Sequence, residues 1–433
     1  MQGQKVSVAL TAALAIFTTT LLVSGTPATA QEKVLHSFGN GKDGTSPWGG
    51  VIFDSAGNLY GTTFAGGTGP CSIPQTGCGT IFELSPKAGG SWTEKVVHNF
   101  HGNDGWEPSG NLIIDGAGNL YGTTRQGGSG LCRYQTTEDH YLIGCGTVFE
   151  LSPAAGGAWT EKVLYSFINN GTDGNEPTAG LVFDAAGNLY GTTFNGGLYD
   201  CGTVFELSPA GGGSWTETIL HNFNQGGTDG IAPGASLIFN SGNLWGTTVG
   251  GGTAYNGSVF ELTPTAGGSW TETIAHSLNE TAEGYSAQAS VIFDTAGNLY
   301  TSASFGGEGG VDAEGSVFEL SPGAGIWTET TLHNFNENGT DAATPVAGVI
   351  FDASGNLYGT TQFGGPRNVY GSVFELTPTP GGGWTEKILH DFGTGTDGVN
   401  PLAGLIFDTA GHLYGTTAGG GVYGNGTVFE VAH

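Results

Sequence analysis

Positive charge is scarce in this chain: 10 Lys+Arg stand against 38 Asp+Glu among 433 residues, a formal net charge of −28 at pH 7. A surface of that sign repels phosphate backbones and anionic lipid, which argues against nucleic-acid binding and electrostatic attachment to membranes. Methionine is absent beyond Met1, and only 5 cysteines are present, too few for a disulfide-built miniprotein scaffold. After the first thirty residues no apolar run approaches the ~20 residues of a membrane helix. Nor does that region offer about ten consecutive residues of helical period free of Gly and Pro, which excludes an α-helical protein. Glycine, by contrast, supplies 82 positions, and 11% of residues are aromatic. The glycines keep no three-residue period, so collagen is excluded. With that many aromatics and only 11% charged residues, a disordered chain is excluded too. A turn-rich all-β protein remains.

Met1 to Ala30 reads as a secretory signal peptide. Lys5 is its basic start, Val6 to Val23 its uncharged apolar run, and Ala28-Thr29-Ala30 a small-x-small cleavage pattern before Gln31. A retained membrane anchor is the alternative, because the run is near the minimum spanning length. The expectation is a freely secreted or periplasmic monomer without a membrane span in the mature chain.

Everything after residue 30 is one unit repeated. Gly57-Asn-Leu-Tyr-Gly-Thr-Thr63 returns unchanged at 118–124, 187–193 and 355–361, and with substitutions at 242–248, 297–303 and 411–417, seven copies spaced 55 to 69 residues apart. An apolar run ending in Asp precedes each copy (Val51-Ile-Phe-Asp54 in the first), and a variable glycine-rich loop follows it. Then come Gly-Thr-Val-Phe-Glu-Leu, a Pro/Gly turn and Trp-Thr-Glu-Lys-Val-Leu-His-x-Phe. These are four short β-branched or aromatic runs bounded by glycine, hence four strands per repeat. Seven such units predict a seven-bladed β-propeller with four-stranded blades at about 49–100, 109–167, 178–223, 234–278, 288–335, 346–392 and 402–431. The last copy lacks its fourth strand, and that strand stands alone at Glu32–Phe38. A ring closed by the N-terminal strand explains both; a β-solenoid or a pair of smaller barrels are the alternatives.

The septapeptide, followed by Gly-Gly and Gly-Thr-Val-Phe-Glu-Leu, resembles the GloVer tandem repeat of secreted bacterial proteins described by their C-terminal anchor. The resemblance covers residues 31–433, although this chain shows no such anchor. It implies no established activity. The strand order and the Asp-x-x-Gly-Asn turn are also similar to NHL-type propellers.

Most acidic residues recur with the repeat, which makes them scaffold before anything else. Asp54, Asp115, Asp184, Asp294, Asp352 and Asp408 precede the x-x-Gly turn, where a carboxylate can accept backbone N–H groups. Mid-strand glutamates (Glu83 and its equivalents) and outer-strand glutamates (Glu32, Glu94, Glu161, Glu217, Glu272, Glu329, Glu386) are expected to pair with Thr or Lys neighbours. The recurrent histidines, one per blade with Tyr165 replacing one, lie too far apart to share a metal. Asp-Gly pairs at Asp43, Asp104, Asp173, Asp229 and Asp397, with Asp341-Ala, sit four residues before a proline in the blade-to-blade loops and read as turns. A crown of these carboxylates around the ring mouth, holding Ca²⁺, is the functional alternative, but one oxygen donor per loop is too few. No cofactor is called for.

Cys71 with Cys78, and Cys132 with Cys145, fall within two variable loops and are expected to form disulfides, as export permits. Cys201 is left unpaired, and no spacing fits zinc. Function is expected where the repeats differ. The loops between second and third strands emerge beside the blade-to-blade loops on one rim. The longest, 125–144, carries Arg125, Arg133, Tyr134, Glu138, Asp139 and His140, and other copies add Asp200, Arg367 and several aromatics. Aromatics with a few charges on a concave rim suit carbohydrate or peptide recognition. Three readings follow: a non-catalytic binding or adhesion module for an extracellular ligand; a polysaccharide-acting hydrolase or lyase using Glu138, Asp139 or Asp200 as acid or base; and a structural envelope protein without a small ligand.

Overall fold

The computed structural model describes residues 31–432 except 40, 72–76, 136–139, 169, 281, 308–313, 337–340 and 366–369, so the leader expected at 1–30 lies outside the described residues. Seven four-stranded antiparallel sheets are present, six of them ordered as in the sequence. The first blade comprises Ile52–Phe53, Leu59–Thr63, Thr80–Pro86 and Trp92–Asn99, from the axis outward. The seventh takes Ile406–Phe407, Leu413–Thr417 and Thr427–Ala432, and Gln31–Ser37 completes it as the outermost strand. That pairing is antiparallel, running from Gln31↔Ala432 to Ser37↔Thr427. The ring is therefore closed by the N-terminal strand, and the fold is the all-β propeller expected.

Each letter of the septapeptide has a structural task. The Asp54 carboxylate accepts the Ala56 and Asn58 backbone N–H groups at 2.9 and 2.8 Å and the Asn58 side-chain amide at 2.8 Å. Gly57 supplies the left-handed turn residue (φ +86°). In the equivalent Asp184 and Asp352, burial is outweighed by these hydrogen bonds, which hold the carboxyl below its usual range. Leu59 enters the core, and a Cβ on Gly61 would strike the Phe82 ring at 2.6 Å, so only glycine fits beneath it. Of the two threonines, the first reaches the next blade, as in Thr123 Oγ1 to Ala179 O (2.8 Å), and the second joins the third strand, as in Thr124 to Thr147 (2.8 Å). In the fourth copy, where Asn240 replaces Asp, Asn243 turns instead to Glu261 at 2.5 Å.

Blades are fastened to one another by fully buried phenylalanines. Phe38 meets Phe82 edge-on at 5.1 Å, and the same pair recurs down to Phe392–Phe429 at 5.0 Å. One seam departs from this: Leu278 takes the phenylalanine slot, and Thr301 takes the glycine slot beneath Phe318. The smaller Leu278 makes room for part of the added bulk of Thr301.

Candidate functional site

Blade-to-blade linkers and the loops between second and third strands share one face, where they pair with each other. Gly174–Asn175 pairs with Asn195–Gly196, and Thr45 bridges Ala65. In each linker one non-glycine residue is left-handed: Ser46, Glu107, Glu176, Ala232, Ser286, Thr344 and Asn400, all with φ between 55° and 64°. Both backbone groups of this residue are used. Glu107 donates its N–H to Cys78 O and accepts Arg125 N–H, tying the preceding blade to its own second strand. The strain is thus spread over seven equivalent positions and belongs to the scaffold.

What differs among the copies is the side chain carried there. A cavity of about 420 Å³ opens at the ring mouth, lined by Trp48, Arg125, Glu176, Phe194, Gln288 and Phe305 among others. Arg125 lies between two carboxylates, with Nη2 3.2 Å from Glu176 and Nη1 3.9 Å from Glu107. Asn195 also donates to Glu176 at 3.2 Å. Glu107 Oε2 is buried without a hydrogen-bond partner. Burial raises the Glu107 carboxyl to about 7, opposed by Arg125 and assisted by Glu176. Around this cluster Trp48 stacks on Phe64 (centroids 3.8 Å apart, 19° between planes) and Phe305 on Tyr285 (5.5 Å). At the slot after the two threonines, the first three blades carry Phe64, Arg125 and Phe194, and the others Val249, Ser304, Gln362 and Ala418. Arg125 with Glu107 and Glu176 therefore gathers charge on the side of the second and third blades, while Phe305 adds a ring from the fifth.

Of the residues expected to make the site, Arg125 is at this mouth, but its partners Glu107 and Glu176 were not anticipated. Their signal was present: when the linkers are aligned, only these two copies carry an acid before the proline. Arg133–Gln135 pairs with His140–Leu142 as a two-stranded hairpin, which places Arg133, Tyr134 and His140 on its two strands. Glu138, Asp139 and Arg367 lie outside the described residues. Asp200 accepts the Gly196 N–H at 3.2 Å and caps its own loop. Both disulfides form, Cys71–Cys78 and Cys132–Cys145, with Cα atoms 5.6 and 5.0 Å apart. Cys201 is buried; burial pushes its thiol up, which suits a packed group rather than a nucleophile.

The recurrent His, Asp and outer-strand Glu turn out to form one motif. Asp104 accepts from His98 at 3.1 Å and from the His101 N–H at 2.7 Å, so the Asp-Gly turn is locked onto the outer strand and makes no crown at the mouth. Glu161 of the next blade approaches Asp104, and Glu94 approaches Asp43 in the same way. Glu94 and Glu161 thus face the neighbouring blade rather than Thr or Lys of their own sheet, whereas Glu329 accepts the Thr331 hydroxyl of its own strand at 2.8 Å, as expected. Glu283 fills the Asp slot of the fifth linker, 2.5 Å from His276. Three donor atoms lie within 4.8 Å of one another in sets such as Glu32, His390 and Asp397. That number falls short of the six to eight oxygens Ca²⁺ takes.

Fold and mouth together define a seven-bladed propeller with a single asymmetric face. The chain belongs to the Gloeobacter/Verrucomicrobia repeat family, whose model matches residues 15–133, 132–311 and 308–433. No curated protein matches it. Among solved structures, an ancestral GH74 enzyme is similar at 13% identity and a TM-score of 0.51, over 89% of this chain and 48% of that one. A protein from Lactobacillus plantarum is similar at 13% identity and 0.50, over 81% and 87%. A Bacteroides uniformis protein assigned as a 6-phosphogluconolactonase is similar at 12% and 0.49, over 80% and 87%. At such identities the likeness is one of fold. No helix among the described residues is long and apolar enough to cross a membrane.

Proposed function

We propose that this is an exported binding propeller whose mouth takes a neutral sugar. The observation carrying this reading is a mouth lined by the rings of Trp48, Phe194 and Phe305 around Arg125, which is held between Glu107 and Glu176. Aromatic faces suit the apolar face of a pyranose, while a guanidinium held between two carboxylates offers donors and acceptors to vicinal hydroxyls. Because Arg125 is already neutralised by its two partners, an anionic ligand gains little from it. Export is supported by the Met1–Ala30 leader and by two disulfides. The test is calorimetric titration with neutral disaccharides after a glycan-array screen. Trp48→Ala and Arg125→Gln are each expected to weaken binding about tenfold or more, a loss of ~1.4 kcal/mol. Unchanged affinity in both variants rejects the mouth.

A second reading, hydrolysis or lyase chemistry, is favoured by one feature. Glu107, raised to about 7, can hold a proton near neutrality beside a second carboxylate that is hydrogen-bonded to Arg125 and Asn195. An ancestral GH74 enzyme sharing the fold is compatible with it. Release of reducing ends from a neutral polysaccharide, abolished by Glu107→Gln, would establish that reading over simple binding.

A further inference from the structure

We infer that the ligand is a long neutral glycan, one that extends beyond the mouth and is held along a line of tyrosines on the rim. This rests on the mouth reading above and adds the polymer. Three observations carry it.

The first is location. All the exposed large hydrophobic residues except Ile168 and Ile326 lie in the loops between second and third strands, and Ile168 lies in an adjoining linker on the same face. They are spread over five blades, the second, third, fourth, sixth and seventh. Tyr199 and Tyr255 stand on the third and fourth blades, and Tyr370 and Tyr423 on the sixth and seventh. By blade order these pairs are nearly opposite across the ring. The way between them crosses the mouth, whose lining carries the rings of Phe194, Trp48 and, on the intervening fifth blade, Phe305. Separate aromatic platforms on both sides of the mouth suit a polymer long enough to cross it. A protein partner of standard affinity calls instead for a continuous footprint of about 800 Å².

The second is support. Tyr423 lies against Gly39, where a Cβ would come within 2.7 Å of the ring, and Tyr370 is seated over Gly393 in the same manner. In both cases a linker glycine lets an aromatic ring rest against backbone while 64% of Tyr423 and 39% of Tyr370 stay open to solvent. A ring held from behind with its outer side free is organised for stacking before the ligand arrives.

The third is strain without burial. Tyr255 sits at φ +61°, in the loop slot that Gly424 fills at φ +79° in the seventh blade. A bulky residue in the left-handed region is disfavoured, and Tyr255 is 67% exposed, so packing does not offset the cost. A residue that weakens its own loop and buries little there makes sense if its ring meets something outside the chain.

Charge narrows the class. At −28, with few cations on the whole chain, the protein repels uronate or sulfate polymers, which leaves uncharged chains. Chains with equatorial linkages present flat apolar faces at each unit and best suit successive aromatic platforms.

The experiment is titration of the full chain with β-1,4-linked gluco- and manno-oligosaccharides from dimer to octamer, with polygalacturonate as the anionic control. Affinity is expected to rise with length. Tyr255→Gly combined with Tyr423→Ala should cost long chains about tenfold or more while leaving dimers unchanged. Trp48→Ala should weaken both. Tyr255→Gly alone should keep or raise the melting temperature, which separates a ligand platform from a structural tyrosine. Length-independent affinity with dimers still bound overturns this inference alone, whereas no binding at any length overturns the mouth reading with it. Full long-chain affinity in the double variant hands the rim to a protein partner and overturns the proposal, as does tighter binding of polygalacturonate.

Discussion

Raising the pH from 5 to 8 should loosen the ring, because a proton is held at nearly every seam between blades. Burial first, and an acidic neighbour on the preceding blade second, raise Glu32, Glu94, Glu161, Glu272 and Glu386 to about 7 and Glu217 to about 8. One oxygen of each is buried without a hydrogen-bond partner, so the neutral carboxyl is the form the seam accommodates. The groups facing them are Asp397 with His390, Asp43, Asp104, Asp229 with His221, Asp341 with His333, and Asp173 with Tyr165. Between the ordinary carboxylate range near 4.5 and the folded value, the native ring binds more protons than the unfolded chain. Stability is therefore fully present below that window and is lost as pH rises through it. Holding a carboxyl at about 7 instead of near 4.5 corresponds to at most ~3 kcal/mol per group. These side chains are only half-buried, and solvent screening reduces that to ~1 kcal/mol. Six seams then sum to ~6 kcal/mol, comparable with the whole stability of an ordinary domain. For a chain this long the melting temperature should fall by about 7 °C between pH 5 and pH 8. Scanning calorimetry in moderate salt, which screens the general repulsion of an acidic surface, measures it. Glu94→Gln with Glu161→Gln, neutral isosteres at two seams, should flatten the slope by about a third. A melting temperature that is constant or rising over this range, or a full slope in the double variant, would refute the reasoning.

Two further outcomes bear on the architecture. Deleting residues 31–38 removes the outer strand of the seventh blade together with Phe38, which is wholly buried against Phe82; the ring should lose several kcal/mol and expose a pairing edge, seen as a lower melting temperature and as association in light scattering. Reducing Cys71–Cys78 and Cys132–Cys145 opens only short loops, each contributing about 2–3 kcal/mol at most. The blades should stay folded by circular dichroism while hydrogen exchange quickens in the two loops.

Repetition made the scaffold legible in the sequence and also hid part of the site. The septapeptide could be read as strand and turn because Asp54, Gly57 and Gly61 act locally, within one hairpin or beneath one ring. The closing strand could be read because Glu32–Phe38 copies an element missing elsewhere. The seams could not, since Glu161 meets Asp104 only after two blades stack, and no periodicity encodes that contact. The mouth was half legible. Arg125 stands out in the sequence with the other charged residues of the longest loop, but Glu107 and Glu176 sit in linkers that read as turns, and their convergence depends on the left-handed backbone there. The longest loop drew notice for its length, whereas charge and aromatic rings gather at the axis.

The pairing of Gln31 with Ala432 also orients the molecule. Fourth strands run toward the mouth face, so Gln31 begins on the opposite face, and the antiparallel third strand brings Ala432 to the same place. Any polypeptide joined before the one or after the other departs from the back of the ring, through two points a strand's spacing apart. A tether there, whether a cell-surface stalk or an engineered fusion, would hold the ring like a dish on a post, with its mouth and tyrosine rim turned toward the medium.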